Sequence, residues 1–225
     1  MSGDLDHERW RVRLRHLWRT VTLQRRFDKA QARRAFLAAV AGLRPGDLAI
    51  DLGANVGRFT RPMAETGADV IAFEPDPHAF GLLQAALRPY TNVTLMAAAA
   101  GDQDGEITLY RHAAFDEAPD TRTKSSSIIA GKANVAGGQA IPVQVIDFTR
   151  FLRELDRDVA LLKIDIEGAE VPLMEALLAS GAAARIGHIF IETHERGIPA
   201  LARRTDALRA ATAGWTKPVV NWNWH

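Results

Sequence analysis

Three short segments hold residues whose type and spacing can do chemistry. The first is Asp51-Leu-Gly53-Ala-Asn55-Val-Gly57, which leaves an apolar run and enters a helical one. Glycines there let the backbone turn tightly and approach a ligand with no Cβ in the way. A dinucleotide site would need G-x-G-x-x-G, with helix N-terminal amides facing a pyrophosphate, and the chain lacks that spacing. The acid two residues before Gly53 repels phosphate and suits a positively charged ligand, such as the ammonium and sulfonium of S-adenosylmethionine. The second segment supplies Glu74, 17 residues after Gly57. A carboxylate at a strand end can accept both ribose hydroxyls, each charge-assisted bond contributing ~1.5–3 kcal/mol. That supports an adenosine ligand without choosing between S-adenosylmethionine and NAD. Asp102, in Ala100-Gly101-Asp102, stands where it could accept from the adenine amine or merely stabilise a turn.

The third segment is Lys163-Ile-Asp165-Ile-Glu167-Gly168-Ala-Glu170. Strand alternation puts Lys163, Asp165 and Glu167 on one side, away from Ile164 and Ile166. Charges in an apolar core strand are expensive unless paired. The four ionisable groups therefore read as chemistry, or as a Lys163–Asp165 or Lys163–Glu170 ion pair bracing the loop.

Alternating strands and helices must position these groups. The helical pattern over 28–43 puts Phe36, Val40 and Leu43 on one side, and Pro45-Gly46 then turns the chain. Strands are expected at 47–53, 69–75, 93–100, 106–113, 140–148, 159–166 and 188–194. Helices are expected from about Gly57, from Pro77 to about Leu87, from near Ala169, and over 199–212, with a last strand or hairpin in WTKPVVNW. Asp76 and Pro77 read as N-cap and first helical residue, and Pro172 is tolerated only in a first turn. The pattern predicts an α/β fold: a doubly wound, mostly parallel sheet with helices on both faces. Ligands bind such sheets beyond the C-terminal strand ends.

The chain divides into a basic N-terminal helical arm over 1–43 and a ligand-binding domain over 44–225, with an insertion at about 103–146. Residues 1–34 carry ten Arg or Lys against four Asp or Glu, a balance of +6 on a chain whose net charge is +1. The arm points to contact with an anionic surface or membrane, or to a helix packed on the body. No patterned aromatic and basic surface accompanies it, which argues against nucleic acid. The absence of Cys excludes disulfides and thiolate metal sites, and a cytoplasmic protein is the default expectation.

DLGANVGRFT, FEPDP, KIDIEGAE and IETH, in this order, resemble the FkbM-type methyltransferases, from about residue 47 to 194. The resemblance implies the class I, Rossmann-like methyltransferase fold and methyl transfer from S-adenosylmethionine to an oxygen. The acceptor would be a small molecule or glycan: a hydroxyl of a sugar or natural product. It also implies that Asp51, Gly53, Asn55, Gly57 and Glu74 line the cofactor, with Asp102 near adenine. Asp165, Glu167, Glu192 and His194 would border the transferred methyl. His194, with an ordinary pKa near ~6.5, is then the first choice of base. Asp165 is the alternative, and Asp165, Glu192 and His194 could instead converge on a divalent metal. Two rivals remain: an NAD-dependent oxidoreductase, and a non-catalytic scaffold of the same fold.

Overall fold

The computed structural model describes residues 27–110, 140–194 and 201–224. Its first element is a helix over 27–42 (α1). This helix and the following Leu43 bury Phe36, Val40 and Leu43 in one cluster with Phe190 and Trp224. The Phe36 ring lies 4.3 Å from that of Trp224 and meets Phe190 edge-on at 5.3 Å, contacts that add to the burial of their area. The described part of the arm is therefore packed on the body. Residues 1–26, with most of the positive charge, lie outside the described residues.

The main sheet contains β1 (Leu48–Leu52), β2 (Asp69–Phe73), β3 (Val93–Met96), β7 (Val159–Ile164), β8 (Ile186–Glu192) and β9 (Val219–Trp224). Their order is β3-β2-β1-β7-β8-β9, and every pairing is parallel. Helices α2 (Thr60–Ala64), α3 (Pro77–Leu87), α4 (Phe148–Leu155), α5 (Glu170–Ala179) and α6 (Ala202–Thr212) accompany it. Every residue of β1 is buried, as expected of a parallel strand covered on both faces. Leu48, Ile50 and Leu52 pack with Phe148, Leu152, Met174 and Leu208 of α4, α5 and α6. Ala49 joins the opposite cluster, with Phe36 of α1 and Met63 of α2. This is the doubly wound arrangement the sequence pattern predicts.

Local signals explain where several elements begin. The Asp76 side chain accepts from the amides of His78 (2.8 Å) and Ala79 (3.3 Å), capping α3. Pro77 follows as its first residue, where the missing N–H has no intrahelical partner to lose. Pro172 falls in the first turn of α5. Two expectations need correction. The helix expected from Gly57 is only the short α2. The single strand expected over 93–100 divides into β3 and β4 (Ala99–Gly101). β4 joins β6 (Ala140–Asp147) and β5 (Gly105–Tyr110) in a separate three-stranded sheet, β4-β6-β5. An apolar run shows strand character but not which sheet will pair with it. Residues 111–139, the polar part of the expected insertion, lie outside the described residues. Among the described residues no helix is long and apolar enough to cross a membrane.

Strand order reverses at β1, which has β2 on one side and β7 on the other. Such a reversal separates the connections on the two faces and opens a crevice beyond the carboxyl ends of the strands.

Candidate active site

A cavity of about 280 Å³ occupies that crevice. Its wall comes from the exits of β1, β2, β7 and β8, and Ile107 and Leu109 of β5 add an apolar side from the second sheet. Five carboxylates line it: Glu74, Asp76, Asp165, Glu167 and Glu192.

The β1 exit is a turn built by close approach. Gly53 has φ +78°, and a Cβ there would stand 1.8 Å from the carbonyl oxygen of Asp165. Only glycine fits this crossing of the β1 and β7 exits. The amides of the turn are all used internally. Gly53 and Ala54 both donate to the carbonyl of Phe73, at 3.1 and 2.9 Å, and Gly57 donates to Ala54 at 2.9 Å. The Asn55 amide donates to Glu74 Oε2 at 2.8 Å, and the Val56 amide to Asn55 Oδ1 at 3.0 Å. This turn cannot cradle a pyrophosphate without dismantling itself.

Glu74, 6% exposed, also accepts the Asp76 amide on Oε1 at 2.8 Å. Burial pushes its carboxyl up to about 7, against the pull of the Asp76 and Asn55 amides. A carboxylate has about four lone-pair sites, so each oxygen keeps room for another donor.

Four of the residues expected to meet the ligand or the transferred methyl, Asp51, Gly57, Asp102 and His194, do not line the cavity. Asp51 is fully buried behind it. Register explains why: Asp51 of β1 lies directly beside Lys163 of β7. Lys163 Nζ donates to Asp51 Oδ1 at 3.0 Å and to the Gly53 carbonyl at 3.1 Å, while Thr60 donates to Asp51 Oδ2 at 2.7 Å. Burial works against the charge on Lys163, but Asp51 and Asp165 more than offset it, and its pKa is raised. The ion pair expected for Lys163 thus forms chiefly with Asp51, with Asp165 farther off at 3.6 Å and Glu170 elsewhere. Gly57 faces Leu83 and Leu87 of α3, so its small size serves helix packing. Asp102 is exposed on the bend after β4 and lies outside the lining, although Ala99 and Ala100 of β4 belong to it.

The remaining residues do converge. Asp165, Glu167 and Glu192 line the cavity. His194 lies behind them and outside its lining, with Nδ1 2.8 Å from Glu170 Oε1 and Nε2 3.5 Å from Glu167 Oε2. Glu170 is buried and also accepts the amides of Ile166 and Gly168, each at 3.1 Å. Glu167 holds φ +53°, an uncommon backbone state for a residue with a side chain. Burial lowers the His194 pKa, but the Glu170 hydrogen bond and the charges of Glu170, Glu167 and Asp165 more than reverse this, to about 9. His194 is therefore an imidazolium at neutral pH with carboxylates at both nitrogens. That removes the reason for choosing it as base. Glu192 is pushed up to about 7, by burial first and then by Asp165, with His194 and Lys163 pulling it down.

Ligand atoms of Asp165, Glu167 and His194 all lie within 4.8 Å of one another. They are close enough to share a cation, and Glu167 replaces Glu192 in the set expected from the sequence. Sequence reasoning missed Arg58, which lines the cavity mouth next to Phe59. Its signal was present in the first motif, in the position after Gly57.

A model of the methyltransferase FkbM domain matches residues 51–211. Two curated relatives, each named "Ribosomal RNA small subunit methyltransferase A", match shorter stretches. The one from Leuconostoc citreum (strain KM20) is 39% identical over 57 residues, 25% of this chain and 19% of that protein. The one from Thermotoga neapolitana is 44% identical over 55 residues, 24% of this chain and 21% of that protein. The chain thus matches about a fifth of the length of these relatives.

Proposed function

Because this chain belongs to the FkbM methyltransferase family, we propose that it transfers the methyl group of S-adenosylmethionine to a hydroxyl oxygen of a sugar, glycan or natural-product acceptor. The observation that carries the choice of cofactor is the β1 turn. Its five amides, from Gly53 to Gly57, are committed inside the protein, and five carboxylates face the cavity. A dinucleotide would bring two phosphates to that wall. A cationic nucleoside without phosphate suits it, with Glu74 accepting from the ribose hydroxyls and Ile107 and Leu109 covering apolar surface.

When bound, S-adenosylmethionine supplies an electrophilic methyl group on its sulfonium. The chain's part is to align the acceptor and remove its proton. Holding the reacting groups in line can remove ~7–11 kcal/mol of barrier. Glu192 is the base in this reading: a carboxylate with a pKa of about 7 is half ionised at neutral pH and strong enough to take a proton in the transition state. Asp165 beside it orients the hydroxyl. Glu192 would accept the hydroxyl proton as the oxygen is methylated and would then release it to solvent. His194 does not touch the acceptor. Its imidazolium positions Glu167 and, through Glu170, the whole β7 exit.

The 4.8 Å cluster of Asp165, Glu167 and His194 favours a second version, in which these three residues, with the His194 ring deprotonated, would hold a divalent cation that would supply Lewis acidity to the hydroxyl. Labelled methyl donor offered with glycan, natural-product and RNA acceptors tests the function. Transfer to hydroxyls of the first two classes, unchanged in EDTA, supports the reading with Glu192 as base. Activity lost in EDTA and restored by Mg²⁺ assigns the base role to the metal version, and transfer to RNA alone overturns the acceptor class.

A further inference from the structure

Among the described residues, the charged side chains that line the otherwise largely apolar cavity are five carboxylates and two cations, and one of those cations has no part in the function proposed above. Of its two cations, Lys163 is buried and bound to Asp51 and Gly53. Arg58 is the other. It forms no ion pair with any described carboxylate, and its guanidinium stands 5.2 Å from the centre of the Phe59 ring. A cation over an aromatic face keeps its charge and its planar donors available at the ring's edge. Five carboxylates and one guanidinium make a pattern that a purely cationic ligand does not need. S-adenosylmethionine has one negative group, the carboxylate of its amino-acid end, and an isolated guanidinium is the complement to it. Arg58 also stands on the β1 exit, whose committed amides cannot hold that carboxylate themselves.

We propose that Arg58 binds the amino-acid carboxylate of the methyl donor, and so selects amino-acid-bearing thioether nucleosides over truncated ones. This rests on the cofactor reading above and goes further by assigning the subsite. Arg58 is exposed at the edge of the cavity, where a bidentate guanidinium–carboxylate pair corresponds to about a 10-fold change in affinity.

The test compares two nucleosides by calorimetry on the full chain: S-adenosylhomocysteine, which keeps the amino acid, and 5′-methylthioadenosine, which lacks it. Arg58→Ala should weaken the first about 10-fold and leave the second within about 2-fold, with an unchanged unfolding midpoint. Arg58→Lys, which keeps the charge but not the fork, should fall between. Equal losses for both nucleosides would mean a general effect on the cavity and overturn the proposal. Unchanged binding of both, with a raised KM for the acceptor, would assign Arg58 to the acceptor and also overturn it. If the unsubstituted chain binds neither nucleoside, the cofactor reading itself has failed. If it binds both and Arg58→Ala changes neither, only the subsite has.

Discussion

Two groups of charged residues meet at the mouth of the sheet and have opposite characters. At the rear wall of the cavity, Lys163 joins Asp51 and Thr60 behind it in a set in which carboxylate and ammonium are at most 1% exposed. In front, Asp165, Glu167, Glu192 and His194 are partly open, and two of them hold pKa values moved toward or past neutrality. Only 3.6 Å separates Lys163 Nζ from Asp165 Oδ2, the link between the sets. The difference lies in exposure: the rear set pairs its charges in full burial, and the front set gathers three carboxylates and His194 beside an open cavity. A buried pair of that kind holds structure, whereas carboxylates with shifted pKa values in a cleft are candidates for proton transfer.

The contrast can be broken from either side, and the front offers the largest effect. Glu192→Gln should lower kcat by about 10²- to 10⁴-fold, the usual worth of a positioned base, with an unfolding free energy close to that of the unsubstituted chain. Single-turnover methyl transfer and urea denaturation report the two quantities separately. In the rear, Lys163→Met leaves the Asp51 carboxylate buried without its counter-charge. A loss of ~3–5 kcal/mol in urea denaturation is expected, enough to unfold many domains. Replacing both partners by apolar residues should recover part of it.

Backbone geometry comes next. Gly53→Ala puts a methyl against the Asp165 carbonyl at a positive φ, with an expected cost of at least ~2 kcal/mol and loss of nucleoside binding. Denaturation and calorimetry check both.

The smaller effects are those of pH. The His194 pKa rises from an ordinary 6.5 to about 9 on folding. Folded protein therefore holds more protons than unfolded between those values, so this contribution is complete below pH ~6.5 and is lost as pH rises through about 9. On the order of 3 kcal/mol of pH-dependent stability is at stake, and His194→Gln should flatten the decline. Glu192 gives the complementary kinetic signature: turnover should fall as pH drops below about 7, where its carboxyl is protonated and cannot accept.

Much of this was legible in the chain itself. Alternating apolar runs locate β1, β2, β7 and β8, and Asp76-Pro77 marks the start of α3 because both capping signals are local. The charged residues of the β7 exit announce themselves by standing in an apolar strand. What the pattern does not hold is partner choice. Lys163 pairs with a residue 112 positions away, and only the β1–β7 register shows that Asp51 is its neighbour rather than the ligand's. His194 looked like a free base because its carboxylate partner Glu170 lies 24 residues earlier, on another element. Likewise the break between β3 and β4 depends on a second sheet, formed with β6 more than 40 residues on. Short-range chemistry was readable, and charge states set by long-range contacts were not.

On the proposed function, the crevice beside β1 takes a cationic thioether nucleoside and has no place for a pyrophosphate. Calorimetric titration of the full chain with S-adenosylmethionine and, separately, with NADH addresses it directly. The account predicts saturable micromolar binding of the first and no heat of binding from the second. Tighter binding of NADH, or no response to S-adenosylmethionine, would contradict it.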